Sequence, residues 1–394
     1  MPTTALPVTL SSPRVAPGSF LKIRYSWEAT EPLMRDNFVS VHFVNDRGEM
    51  IAKDDHGPSV ITGSPGWRGK ISYERRVVIP SPLPDCTCRI SIALQHSHTE
   101  PPGWKLEDLE TGPGTRALGR GRVDVGQIIF DNQAPRAVPD TQKPASLDLK
   151  QWRMTFNEDF SKPLDISPWG PGTRWITHTP WDGDFGDAVF VDPKPGFPFV
   201  IENGILRIEA RKDETLKDKW NRKWEAGLIA TNDPQGNGFS QKYGYFECRA
   251  KMPVGAGVWP AFWLSSSFDR TDPKGGDDGS VEIDVIEYYG HSPGCYQAAV
   301  HVWQPAPHTA EGSTVTMKLN EATDDFHRYG VRIEPDFITM YFDGIEVWKT
   351  PTPPQHKKPL MMLVNLALGS GWPIDQVPNP SYMYVDYVRA YDHT

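Results

Sequence analysis

VEIDVIEYYG, residues 281–290, sets three carboxylates, Glu282, Asp284 and Glu287, into an otherwise apolar, β-branched run. In an extended strand successive side chains leave opposite faces, so Glu282 and Asp284 point one way while Val281, Ile283 and Val285 enter the opposite layer. Regular alternation would send Glu287 to the wrong side. For it to join the other two, one extra residue has to be absorbed near Val285 or Ile286, as in a β-bulge, a feature common beside active sites. The stretch predicts a strand, with an irregularity, in a mostly β protein.

Working outward, MTFNEDF (154–160), GILRIEARK (204–212), YGYFECRAKMP (243–253), QAAVHVW (297–303), HRYGVRIEP (327–335), ITMYFDGIEVWK (338–349), LMMLVNLAL (360–368) and MYVDYVRAY (383–391) are all strand-grade and separated by turn residues. Helical periodicity is nearly absent. So many strands imply two stacked sheets, and long concave sheets of this sort form jelly rolls that hold an extended ligand in their groove. Upstream, PRVAPGSFLKIRYSWEA (13–29), FVSVHFV (38–44), YERRVVIP (73–80), RISIAL (89–94) and RVDVGQIIF (122–130) alternate apolar with polar residues, with Val39, Val41 and Phe43 on one face. Residues 1–132 are thus expected to form a smaller β-sandwich of immunoglobulin-like type, and 151–394 the larger domain. DNQAPRAVPDTQKPASLDLK, with prolines at 135, 139 and 144, reads as a linker over 133–150.

Composition narrows the function. Acidic residues outnumber basic ones by 50 to 41 and no Lys/Arg block stands out, which argues against a nucleic-acid partner. No stretch approaches the roughly 20 apolar residues of a membrane helix, so no membrane span is expected. Met1 to Leu10 lacks the layout of a signal peptide. Cys86, Cys88, Cys248 and Cys295 are too scattered for a disulfide framework and are expected to be structural or free.

Three ionised carboxylates crowded on one face repel one another, so at least one should hold a proton near neutral pH. Glycoside hydrolysis needs that arrangement: one carboxylate attacks the anomeric carbon while a second, protonated, donates to the leaving oxygen, the pair lying about 5–5.5 Å apart in retaining enzymes. A solvated strand face would instead mix Lys, Thr or Ser among the acids, and a calcium loop would carry Gly and Asn/Asp at loop spacing. Neither fits this stretch.

The run GAGVWPAFWL (255–264), then VEIDVIEYYG, AAVHVW (298–303) and MYVDYVRAY resembles glycoside hydrolase family 16, the laminarinase, agarase and carrageenase group, in order and spacing over residues 150–394. That resemblance implies a concanavalin-like jelly roll and an endo-acting retaining glycosidase of a β-linked glucan or galactan. It makes Glu282 the nucleophile, Glu287 the acid/base and Asp284 the neighbour that tunes the nucleophile. It also puts Trp259 near the cleavage point and His301 close to the acid/base. WNRKWEAGLIATND (220–233) and NLALGSGWP (365–373) look like family segments on the sugar-donor side, which makes Trp224, Glu225, Asn365 and Trp372 candidates for substrate binding. Family members often hold a structural calcium remote from the cleft, and Asp159 and Asp386 stand at the matching places.

DPKGGDDGS (272–280) departs from the Trp-Pro pair of typical laminarinases, while GDFGDAVF (183–190) and GFSQKYGYFECRAKMP (238–253) look closer to depolymerases of bacterial exopolysaccharides such as succinoglycan. A transglycosylase or a carbohydrate-binding protein on the same fold are the alternatives. Trp259 and Trp263, four apart, are both able to face the groove, Trp263 equally able to fill the core. Asp184 and Asp187 read first as turn residues. Trp27, Trp67 and Trp104 are available should the N-terminal module bind carbohydrate, but with no aromatic cluster visible in the sequence the module is expected instead to brace the catalytic domain. The expected partner is a polysaccharide, with no organic cofactor required, a monomeric chain, and an extracellular or periplasmic location.

Overall fold

The computed structural model describes residues 3–30, 38–55, 69–79, 82–99, 102–106, 108–135, 147–268, 279–305 and 308–393. The chain divides into two compact units, one of Met1–Asp140 with Thr309–Thr316, the other of Thr141–His308 and Met317–Thr394. Strands dominate both, and the one helix among the described residues is the single turn Glu321–Asp324.

The first unit holds two sheets. One carries Phe20–Ala29 between Thr3–Ala5, Thr9–Leu10 and Gly69–Val78; the other runs Arg116–Gly119, Arg122–Phe130, Cys86–Thr99, Phe38–Asn45, Met50–Lys53. Alternate residues of the facing strands, Leu21, Ile23, Tyr25 and Trp27 with Val39, Val41, Phe43, Ile90, Ile92 and Leu94, close one core. Trp27 is fully buried in that core, which removes it as a sugar platform. Trp67 and the side chain of Trp104 lie outside the described residues.

In the second unit, one sheet runs Val189–Phe190, Trp224–Ala226, Ile205–Lys212, Ser381–His393, Gly244–Lys251, His327–Ile333, Phe337–Phe342, Ile345–Pro351. The other runs Ile166–Ser167, Trp175–Ile176, Leu228–Ala230, Leu360–Leu368, Val258–Ser266, Ser280–Glu287, Cys295–Gln304. Leu360–Leu368, the near-continuous apolar run, lies mid-sheet and is buried along its whole length, as a strand covered on both faces must be. The second unit begins earlier than the linker expected at 133–150 allows. Leu147 donates its amide to Gly344, and Leu147, Leu149 and Trp152 pack on Tyr245, Tyr341 and Tyr391, because the two leucines find apolar cover there. Within 133–150, residues 136–146 lie outside the described residues. All four cysteines are free.

Candidate active site

Strand Ser280–Glu287 pairs with Val258–Ser266 on one side and Cys295–Gln304 on the other. Against the first neighbour, Asp284 lies opposite Trp263 and Ile286 opposite Phe262, so Val285 is the extra residue and Glu287 regains register opposite Ala261. The ladder to Cys295–Gln304 shifts over the same interval, between Asp284 and Glu287. The irregularity falls where the spacing of the acids required it, and Glu282, Asp284 and Glu287 all line one cavity of about 570 Å³. Ala261, Trp263 and Ser265, the alternate residues of Val258–Ser266, line it too.

Burial in this cavity holds all three carboxyls above the ordinary range. Desolvation raises Asp284; burial and then the Asp284 charge raise Glu282; and burial followed by Asp284 pushes Glu287 up to about 7. Opposing donors limit the rise. Glu287 Oε1 accepts from Trp259 Nε1 and from the Tyr289 hydroxyl, each at 3.0 Å. Glu282 takes a hydrogen bond from Trp303. His301 Nε2 lies 3.2 Å from Asp284 Oδ2, and its Nδ1 is 2.9 Å from His308 Nε2.

Most of the remaining wall is aromatic, with Ser280 and Gln304 beside it. Trp181, Phe185, Trp259, Trp263, Phe268 and Trp303 border the cavity. Phe185 meets both Trp259 and Trp263 edge-on, at 5.4 and 5.9 Å between ring centroids. The loop that carries Trp181 and Phe185 turns at Gly186, where φ is +70° and an added Cβ would sit 2.4 Å from the Leu368 carbonyl, so glycine is needed for this approach. Asp184 in the same loop pairs with the buried guanidinium of Arg222 at 3.4 Å, which Asp218 also holds at 2.9 Å.

Asn365 lies on the floor, fully buried. Its Oδ1 accepts from Trp263 Nε1 at 2.8 Å; the indole can only donate, which fixes the amide orientation. Among the described residues no acceptor meets its Nδ2. A buried donor of this kind is costly unless something in the cavity accepts from it.

Of the predicted binding residues, Trp259, Trp263 and Asn365 line the cavity beside the triad. His301 stands outside the lining; strand pairing seats it opposite Glu282, its Nε2 meets Asp284, and it lies close enough to oppose the rise of Glu282 and Glu287 as well. Trp224 and Glu225 are not brought to the cavity. They sit in a short strand of the opposite sheet, Trp224 buried and Glu225 neutralised by Lys194 and Arg211 at 3.1 and 3.6 Å. Trp372 instead packs on His291, 3.5 Å between centroids.

Asp159 accepts from the Ser161 hydroxyl at 2.6 Å, and Asp386 pairs with Arg249 at 2.5 Å. Among the described residues neither belongs to a group of three acidic, histidine or cysteine ligands; the one such group is Glu282, Asp284 and His301. Residues 272–278 of the DPKGGDDGS stretch lie outside the described residues. Trp303, Tyr289, Trp181 and Phe185 were not anticipated. Trp303 had a readable signal, since it lies two residues after His301 on one strand and shares its face; the loop aromatics had none.

The model of the family "Glycosyl hydrolases family 16" matches residues 206–389, which span every strand-borne cavity residue named above. This is a family 16 glycosyl hydrolase. The chain is 31% identical over 285 residues to endo-1,3-1,4-beta-glycanase EglC and 36% identical over 286 residues to endo-1,3-1,4-beta-glycanase ExsH, both of Rhizobium meliloti. In each case the match covers 68% of this chain and 58% of the relative, so the chain spans less than two thirds of those proteins. A laminarinase catalytic domain from Thermotoga maritima superposes with a TM-score of 0.51 at 22% identity, over 62% of this chain and all of that one, a likeness of fold. Among the described residues no helix is long and apolar enough to cross a membrane.

Proposed function

We propose that this family 16 hydrolase cleaves a β-linked polysaccharide internally, with retention of configuration. The observation that carries the reading is the convergence of Glu282, Asp284 and Glu287 on one aromatic-walled cavity. An open cavity walled by indoles and two phenyl rings suits sugar rings, whose axial C–H faces pack on flat aromatic surfaces.

In this reading Glu282, ionised, attacks the anomeric carbon as the glycosidic bond breaks, and Glu287 gives its proton to the departing oxygen. Oε1 of Glu287 is already held by two donors, so the transferable proton resides on Oε2. Glu287, now a carboxylate, next takes a proton from water, whose oxygen attacks the anomeric carbon and releases Glu282. Asp284, bonded to His301, bears on the charge of Glu282 beside it. The Nδ2 of Asn365 donates to a sugar hydroxyl. The chemistry draws on no organic cofactor.

The names of the two rhizobial relatives make a β-1,3-1,4-linked glycan the substrate to test first. A polymer of that kind is met outside the cytoplasm, so the chain acts extracellularly or in the periplasm. The test is release of new reducing ends from mixed-linkage β-glucan, laminarin and an acidic bacterial exopolysaccharide, with Glu282→Gln and Glu287→Gln alongside. Both variants should fold and lose nearly all activity. Activity that survives Glu282→Gln would remove the double displacement.

A further inference from the structure

Asp187, two residues after Phe185 in the loop bordering the catalytic cavity, lines a second concavity of about 460 Å³. Lys212, Trp220, Asn221, Lys223, Asn379 and the predicted Trp224 share it, and none of these borders the first cavity. Trp220 is 59% exposed, more than any other indole among the described residues.

The exposure is built into the turn. The Asp218 carboxylate accepts the backbone amides of Trp220 and Arg222, at 3.0 and 3.3 Å, together with the Arg222 guanidinium at 2.9 Å. Asn221 takes a left-handed conformation, φ 59°, between them. Arg222, buried, lies 4.6 Å from the Trp220 ring centroid, and the ammonium of exposed Lys219 lies 3.9 Å from it. A buried ion pair therefore presents a large apolar ring to solvent at the edge of a hollow rich in amides and ammonium groups. Acids counter the cations, Asp187 and Asp375 lining the hollow and Lys212 pairing with Glu214 at 2.6 Å, so the hollow suits a neutral, hydroxyl-rich ligand better than an anion.

The two concavities are close along the chain. Phe185 borders one and Asp187 the other, and their Cα atoms are at most about 7.6 Å apart, on the order of one sugar residue. We propose that the second concavity is an outer subsite for the same β-linked polysaccharide, with Trp220 as the platform for one sugar ring and Asn221, Asn379 and the lysines as hydroxyl partners. This rests on the glycosidase reading and extends it to how a long chain is held.

Affinity electrophoresis through gels containing mixed-linkage β-glucan or laminarin tests it without turnover, using Glu282→Gln as the uncleaving background. Adding Trp220→Ala should weaken retardation roughly three- to tenfold, the worth of one aromatic contact. Trp220→Tyr, which keeps a flat ring, should restore most of it. Because Trp220 is exposed, an unchanged melting temperature checks the fold. Equal retardation with and without the indole overturns the subsite. So does a Glu282→Gln protein that neither polymer retards, while cleavage of those polymers by the parent chain would leave the glycosidase reading standing.

Discussion

The hydroxyl of Tyr289 donates to Oε1 of Glu287, the same oxygen that the indole of Trp259 holds, and the two rings stack 6.0 Å apart at 14°. Both donors favour the ionised carboxylate and oppose the burial that pushes it up to about 7. Tyr289→Phe removes one of them without changing the ring. The Glu287 carboxyl should then hold its proton to higher pH, moving the basic limb of kcat/KM upward. Water activation, which needs the carboxylate, should slow roughly tenfold. A pH–rate profile checks this; an unmoved basic limb would mean the phenol plays no part in setting the proton.

Glu287 also carries a stability signature. Its ordinary value is 4.5 and the folded value about 7, so between those pH values the native state binds more protons than the unfolded chain. Stability therefore falls as pH rises through that window and levels off above it. Glu287→Gln takes away the ionisation and should stabilise the protein by up to about 3 kcal/mol at pH 8 while changing little at pH 4. Denaturant melts at the two pH values measure it. A variant equally or less stable than the parent at pH 8 would show that the carboxylate is not strained by burial.

The sequence made the bulge legible because charge is costly on the wrong face: acids at 282, 284 and 287 cannot share a side of a regular strand, so a break near Val285 had to exist. Trp259 and Trp263 were accessible for the same reason, lying four apart on a strand whose alternation assigns faces, whereas Asn365 was accessible only through the family resemblance. Trp224 and Glu225 also lie on a strand, but alternation cannot say which sheet a strand joins, and theirs joins the opposite one. Trp181 and Phe185 come from an irregular loop, whose path depends on Gly186 and the Arg222 ion pair rather than on any period. Trp27, available by sequence as a sugar contact, is buried because a tryptophan in an alternating strand belongs to whichever face is apolar, here the core.

Asn365 and Trp263 form a polar pair beneath the cavity, 2.8 Å apart, and each protects the other from being buried alone. Asn365→Leu should cost about 1–3 kcal/mol, because the indole N–H is left without its acceptor. Adding Trp263→Phe removes that donor as well, so the double variant should lose less than the two single losses combined. Substrate affinity should fall in Asn365→Leu even where the fold holds, since Nδ2 is the buried donor offered to the cavity. Thermal melts of the cycle and KM values for the polymer test the two roles separately.

Arg222 ties the aromatic loop to the body of the domain. Its guanidinium meets Asp218 at 2.9 Å, Asp184 at 3.4 Å and the Ala188 carbonyl at 3.1 Å, and it is nearly buried. Removing the charge leaves two carboxylates and a carbonyl without their shared donor, a loss on the order of 3–5 kcal/mol for a buried ion pair broken on one side. Arg222→Met, which keeps the stem, should therefore lower the melting temperature markedly. It should also raise KM more than it lowers kcat, because Trp181 and Phe185 lose their anchor while Glu282 and Glu287 remain on an intact strand. The opposite split, with kcat collapsing at constant KM, would place Arg222 in service of the carboxylates rather than of the wall that holds the sugar.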